Sequence, residues 1–546
     1  MRYVDNITDN IADTFVHAAK ANCDKKAIIE AKTERSITFN ELNIRSDSYV
    51  GYFASQGVCS GDIVMLMVTP SIEFICLTLA LFKLGSPVVL IDPGMGYKNL
   101  LKCIERVEPK YLIGIPKALL FSRIFPKPFK TVKKRFCCGP SFAVFGQNIC
   151  DIKVGTDSVH EVYKPGENDL AAIIFTTGST GPPKGVRYEH SIFSSQLKLI
   201  ESFYHIGDKD IDQPAFPLFA LFSTALGACA IIPDMDPTKP AQVDPAKFVH
   251  SILKYNVSYS FGSPAIWRVV CKYCIDNKIT LPSLSKVLMA GAPVPYDLLT
   301  NMVDILPSAG KVFTPYGATE SLPVASIDNH EILSETMGLS RRGKGTCVGY
   351  ALPGIEIRII ELSDDVLETI DNCCTLDTDA VGEIIVRGGV VTKAYMNNPK
   401  ETKLAKIQDK DSFWHRMGDL GYIDDRGRLW FCGRRAHRVC SAGKIFYSVP
   451  CEAIVNEHPD VYRSALVAVT NHEDIVLPVL IIEPVHHFKG DEKKLLEEVL
   501  ALSEKSHVTE SIKHFLIHKS FPVDIRHNAK IFREKLSVWA QQQMYP

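Results

Sequence analysis

The sequence predicts an α/β protein of more than one domain, and three observations carry that expectation. The chain has 546 residues, more than one ordinary hydrophobic core organises. Up to Gly433, apolar strand-like runs alternate with amphipathic helical ones before giving way to short β-like pieces. Beyond Gly433 the βα alternation resumes over a stretch of ordinary domain size.

The elements follow in order. "DIVMLMV" reads as a strand, "SIEFICLTLALFKLG" as a helix and "SPVVLID" as the next strand. Further on, "SYSFGSP" precedes the helical "AIWRVVCKYCIDNKI", and "SKVLMAGAP" precedes "YDLLTNMVDIL". Strands apolar throughout, each followed by a helix, build parallel sheets covered on both faces. Gly291-Ala292-Pro293 falls just past the end of such a strand, where these folds hold ligands. From Gly338 to Gly433 the pieces "GIEIRII", "GEIIVRG" and "GYIDDRGRLWFCG" read as a smaller β-rich unit. The last stretch offers "YRSALVAVT", "LPVLIIEPV", "EKKLLEEVLALSEK" and "IKHFLIHKSF", with a domain boundary expected near Gly433.

Composition narrows the class. With 61 basic and 62 acidic residues the net charge is −1, which gives no overall electrostatic reason to bind nucleic acid or an anionic membrane. The longest apolar region, Ile63 to Asp92, is broken by Pro70, Glu73, Lys83, Gly85 and Pro87, so a transmembrane helix is not expected. The opening "MRYVDNITDNIADTF" has no apolar core of a signal peptide, and a cytoplasmic location is the expectation. Sixteen cysteines follow no framework spacing, and Cys271 and Cys274 read as two thiols on one helical face.

The chemistry begins at "IIFTTGSTGPPKGVRYEH", Ile173 to His190. A P-loop needs a glycine before its lysine and a hydroxyl after it. Here Pro183 and Gly185 occupy those positions, and neither a cradle N–H nor a metal-binding hydroxyl remains. The hydroxyls of Thr176, Thr177, Ser179 and Thr180, with the N–H groups of Gly178 and Gly181, suit nucleotide phosphates. By itself the stretch reads equally as a mobile polar turn.

Four more motifs follow it: "YGATE" at Tyr316–Glu320, "HRMGDLGYID" at His415–Asp424, "GRRAHRV" at Gly433–Val439 and "PVDIRHNAKIFREKL" at Pro522–Leu536. In this order and spacing the set closely resembles the adenylate-forming superfamily of acyl-CoA synthetases, luciferases and peptide-synthetase adenylation domains. The resemblance covers essentially the whole chain. It implies a large N-terminal domain of two doubly covered α/β subdomains with a small β-rich unit, and a mobile α+β C-terminal cap. Residues 1–433, a hinge at 434–436 and a cap at 437–546 are the expected divisions.

The resemblance also implies the reaction, in which a carboxylate attacks the α-phosphate of ATP and diphosphate leaves. Two anions must meet, so cations and donors have to neutralise the developing charge. On the matching positions, Glu320 is the magnesium ligand, an oxygen donor suited to hard Mg2+, and Thr319 is the α-phosphate hydroxyl. Tyr316, followed by Gly317, stacks on adenine with Gly291, Ala292 and Pro293 as the opposite wall. Thr314 replaces the usual amide or acid that reads the adenine amine, which leaves that contact to backbone groups. Asp419 grips both ribose hydroxyls, and Arg434 joins it. Lys184 contacts phosphate, whereas Lys530, delivered by the cap, bridges the carboxylate and the α-phosphate. A point charge on a flexible stem suits that moving contact.

The loop after the hinge departs from the usual pattern. It reads "SAGKIFYSVPCEAI", with two residues more than usual between Gly443 and Pro450, where relatives build a thiol tunnel. "FPLFALFSTALGACAIIPDMDPTKPA", "TPYGATESLPVA", "GKIFYSVPCEAI" and "PVDIRHNAKIFREKLSVWA" look specifically like the olefin β-lactone synthetases of bacterial long-chain hydrocarbon biosynthesis. That resemblance implies a long-chain β-hydroxy acid substrate whose own hydroxyl displaces AMP, and assembly with a thiolase, a reductase and a β-lactone decarboxylase. A fatty acid–CoA ligase, an acyl-AMP ligase and a non-catalytic acyl or nucleotide sensor are the alternatives. Intact Lys530, Glu320 and Asp419 argue against the last.

Overall fold

A computed structural model describes residues 7–91, 93–140, 145, 147–152, 160–175, 183–523 and 531–545. Two mostly parallel sheets form the first part of the chain. One runs in the spatial order Lys134–Cys137, Tyr111–Gly114, Val64–Met67, Val88–Leu90, Leu170–Phe175 and Gly185–Glu189, and only the last strand is antiparallel to its neighbour. The other runs Lys311–Phe313, Lys286–Met289, Tyr259–Gly262, Ile211–Asp212, Cys229–Ile232, Lys26–Glu30 and Ser36–Thr38, again with a single antiparallel edge.

Why both faces of each strand are apolar is visible in the packing. Side chains alternate across a strand, so Val64 and Leu66 enter one core cluster while Met65 enters another on the opposite face. Ile28 and Ile29 divide in the same way, as do Ala230 and Ile231. One cluster contains residues of both sheets together with the helices Ile11–Ala21, Ile72–Leu84, His190–Tyr204 and Phe219–Ala225, which are therefore shared between the sheets. The helix Ile72–Leu84 is buried along nearly its whole length, which explains its all-round apolar sequence. Cys271 and Cys274 both face the core from the helix Pro264–Asp276.

The β-rich unit begins earlier than the pattern from Gly338 suggests. Its eight-stranded sheet opens at Tyr316–Ala318 and Ser321–Ser326, and takes in Thr346–Ala351, Ile355–Ile360, Gly382–Gly388, Lys406–Asp409, Ser412–Ile423 and Leu429–Arg434. A helical stretch over 329–344 interrupts it and hides the start from a reading of the sequence. After Arg434 comes a hairpin, Val439–Ser441 with Lys444–Phe446, turned by Ala442 and Gly443 at φ 48° and 76°. The lengthened "SAGKIFYSVP" loop is thus an ordered hairpin leading into the helix Ser448–Val455. A three-stranded sheet, Val461–Thr470, Val476–Pro484 and His514–Ile517, completes the chain with the helices Glu492–Ser503 and Arg533–Met544. Among the described residues no helix is long and apolar enough to cross a membrane.

One buried polar chain carries a testable consequence. The Ser223 hydroxyl donates to Asp212 Oδ2 at 2.5 Å, and the Tyr259 hydroxyl donates to Ser223 Oγ at 2.8 Å. Burial pushes the Asp212 carboxyl up to about 8, against the hydrogen bonds from Ser223 and Tyr259. The folded chain therefore holds this proton across a pH window in which the unfolded chain has released it. Stability falls as pH rises through that window, by up to ~1.4 kcal/mol per pH unit. Asp212→Asn keeps the donor without the charge, so its melting temperature should gain on the parent's between mildly acidic and mildly alkaline pH. Parallel melting curves over that range would remove the buried proton.

Candidate active site

Phosphate-binding residues are expected where strands end. The strand Leu170–Phe175 is followed, after residues 176–182, by the antiparallel strand Gly185–Glu189, with Phe175 opposite Gly185. Thr176, Thr177, Gly178, Ser179, Thr180 and Gly181 lie outside the described residues. So does Lys530. The loop's lysine, Lys184, is described: its ammonium pairs with the Glu401 carboxylate and stands 5.1 Å over the Tyr395 ring.

Tyr395 joins that lysine to the proposed metal ligand. Its hydroxyl donates to Glu320 Oε1 at 2.7 Å. The Glu320 carbonyl accepts from the N–H and the hydroxyl of Thr392 at 2.9 and 3.0 Å. From the other side, the Tyr188 hydroxyl donates to the Thr319 carbonyl at 2.5 Å, and Gln196 donates to the Leu322 carbonyl at 2.9 Å. The Thr319–Glu320 turn is thus clamped between the return strand of the first sheet and the 391–396 segment. Gly317 is obligatory beside it, because a Cβ there would lie 2.6 Å from the Ser321 carbonyl oxygen.

A second cluster forms where Ser412–Ile423 pairs with Leu429–Arg434. The antiparallel register sets Asp419 opposite Arg434, and Arg434 Nη1 lies 2.9 Å from Asp419 Oδ1. Despite that distance the contact lacks hydrogen-bond alignment, and buried Oδ1 has no aligned donor among the described residues. Asp419 Oδ2 accepts from the Tyr316 hydroxyl at 2.6 Å. Burial pushes the Asp419 carboxyl up, opposed by the Arg434 guanidinium and the Tyr316 hydroxyl. Asp419 in turn holds the Arg434 guanidinium firmly charged.

The structure therefore brings Lys184 and Glu320 onto one tyrosine, and Tyr316 and Arg434 onto one aspartate. Both groups share the Tyr316–Glu320 stretch. Gly291 to Pro293 follow the strand Lys286–Met289, with Gly291 in the left-handed region at φ 91°. The N–H and the hydroxyl of Thr314 are both directed to the Ile327 carbonyl, at 2.9 and 3.4 Å.

Two participants escaped the sequence reading. Tyr395 is one. The other is Lys406, whose ammonium donates to the Thr392 carbonyl. Burial draws that ammonium down to about 7, against the pull of the Glu320 and Glu189 carboxylates. Its neighbour across the sheet, His415, is held neutral chiefly by burial and secondarily by Lys406. No local pattern marks either residue: Tyr395 lies in a polar stretch, and Lys406 looks like one more surface lysine.

The family model for AMP-binding enzymes matches residues 15–396. An olefin beta-lactone synthetase of Stenotrophomonas maltophilia (strain K279a) is 39% identical over 515 residues, 93% of this chain and 92% of that protein. Its counterpart from Xanthomonas campestris pv. campestris is 40% identical over 520 residues, 93% of this chain and 91% of that protein. Among solved structures, ATP-bound MatB from Rhodopseudomonas palustris superposes with a TM-score of 0.77 at 21% identity, over 98% of this chain and all of that one. The last likeness concerns the fold alone.

Proposed function

The chain belongs to the AMP-binding, adenylate-forming enzymes, and from that premise we propose that it converts a 2-alkyl-3-hydroxy fatty acid to a β-lactone. The observation that carries this reading is the pair of olefin beta-lactone synthetases matched at 39% and 40% identity over nine-tenths of each chain. The reshaped hairpin at Val439–Phe446, where a thiol acceptor would be served in CoA ligases, supports it.

In this reading the acid's carboxylate attacks the α-phosphorus of ATP, and the bond to diphosphate breaks. The β-hydroxyl then adds to the acyl carbonyl, the bond to AMP breaks, and the hydroxyl proton leaves. Overall the acid loses one water. The internal nucleophile stands beside its target at high effective molarity, which offsets ring strain without CoA. Asp419 and Arg434 hold the ribose, Tyr316 and the Gly291–Pro293 turn enclose adenine, and Thr319 meets the α-phosphate. The hard oxygen donor of Glu320 fits Mg2+, which would neutralise phosphate charge when bound. Tyr395 fixes the carboxylate for that role, and Lys184 would exchange Glu401 for phosphate.

Product analysis tests the proposal. Protein, ATP, magnesium and a long-chain β-hydroxy acid, with no CoA present, should yield AMP, diphosphate and the acid less one water. A thioester that forms only when CoA is added would replace the lactone reading with a CoA ligase. No diphosphate under either condition would leave a sensor.

A further inference from the structure

A net charge of −1 conceals a strongly basic face. Between Tyr97 and Arg135 stand eleven lysines and arginines against two glutamates, a local surplus of nine positive charges. The whole-chain sum, which gave no reason to expect an anionic partner, is blind to this concentration.

Two helices carry five of these cations, Lys98, Lys102 and Arg106 on one and Lys117 and Arg123 on the other, while Lys110 is already paired with Asp62. Leu100, Cys103, Ile104 and Val107 of the Tyr97–Val107 helix enter the same core cluster as Leu119 of the Pro116–Ile124 helix, together with Met65 and Val89 of the first sheet. Both helices thus cover one side of that sheet, and helical spacing sets what they show outward. Lys98 and Lys102 stand one turn apart on the first. Lys117, Leu120 and Ile124 share a stripe on the second.

The apolar members of this face protrude rather than pack. Tyr97 is 56% exposed, Leu120 50% and Ile124 61%. The two helices are joined at the surface by rings, with Tyr97 stacked on Phe125 at 6.4 Å and Phe125 tilted against Phe121 at 4.9 Å. Lys127, just beyond the second helix, reaches Glu105 on the first at 3.7 Å. Cations and protruding hydrocarbon are therefore interleaved on one continuous surface.

Single exposed leucines are unremarkable, but aliphatic tips set among lysines suit one kind of partner. Nucleic acid would satisfy the cations and give Leu120 and Ile124 nothing to enter. An anionic bilayer satisfies both, because its phosphates lie at the surface and its acyl boundary a few ångströms below. We propose that this face docks onto an anionic lipid bilayer, with Tyr97, Leu120 and Ile124 entering the headgroup boundary and the surrounding lysines pairing with lipid phosphates. The docking does not depend on which acid the enzyme activates.

Co-sedimentation with vesicles tests it, comparing pure phosphatidylcholine with phosphatidylcholine containing one-third phosphatidylglycerol. Partitioning should be at least ~10-fold stronger on the anionic vesicles at low salt, and should weaken steeply as salt screens the cations. The double variants Lys98→Glu/Lys102→Glu and Leu120→Ser/Ile124→Ser should each lower it by roughly tenfold. An unchanged melting temperature shows that both variants stay folded. Equal partitioning on the two vesicle types, or full binding by either double variant, overturns the proposal. So does duplex DNA that binds more tightly than the vesicles and is lost in the charge variant alone.

Discussion

Lys530→Ala is expected to lower diphosphate release by about a thousandfold while ATP still binds. The step brings a carboxylate and a triphosphate together, and a pre-placed donor at such a developing charge is worth roughly 3–4 kcal/mol. That converts to two or three orders of magnitude in rate. Lys530 itself lies outside the described residues, and the described residues on either side of 524–530 are held as follows. Val523 and Ile531 form an antiparallel bridge, Phe532 donates to the Pro522 carbonyl at 2.9 Å, and Arg533 clasps both Glu452 oxygens at 2.6 and 2.7 Å. ATP–diphosphate exchange measures the loss, and nucleotide binding measured separately should hold, because the proposed ribose and adenine contacts lie elsewhere. Undiminished exchange would take the role from Lys530.

What the sequence made legible was what is written in contiguous strings. Runs apolar on both faces identify buried parallel strands without any structure, because only such strands need neighbours above and below. The roles proposed for Glu320 and Asp419 come from the resemblance of "YGATE" and "HRMGDLGYID" to the adenylate-forming family, and without it Glu320 reads as an ordinary surface acid. Tyr395 could not be read, since its meaning lies in a contact to Glu320 75 positions earlier and in the cation above its ring. Lys406 was hidden for the same reason: its unusual environment comes from Thr392, Glu320 and Glu189 converging in space. The start of the β-rich unit was missed because Tyr316–Ala318 is a short strand inside a motif read for chemistry rather than for shape. The basic face escaped because a sum over the chain erases where charges sit.

Asp419→Ala should produce the largest loss confined to the nucleotide. In the proposed function its carboxylate offers two oxygens to two ribose hydroxyls, and hydrogen bonds to a charged group contribute ~1.5–3 kcal/mol each. Losing both amounts to roughly a hundredfold to ten-thousandfold fall in kcat/KM for ATP. Arg434 adds to the effect, for it would stand without the carboxylate that now lies 2.9 Å away. Tyr316→Phe makes the contrast. It removes only the 2.6 Å hydrogen bond to Asp419 Oδ2 and leaves the ring to stack, so a loss of about tenfold is expected. Because both substitutions act through one carboxylate, the double variant should fall little below Asp419→Ala alone. KM for the acid, measured at saturating ATP, should stay near the parent value in all three. A loss that falls on the acid instead, or two effects that simply add, would mean that Asp419 and Tyr316 do not hold the nucleotide together.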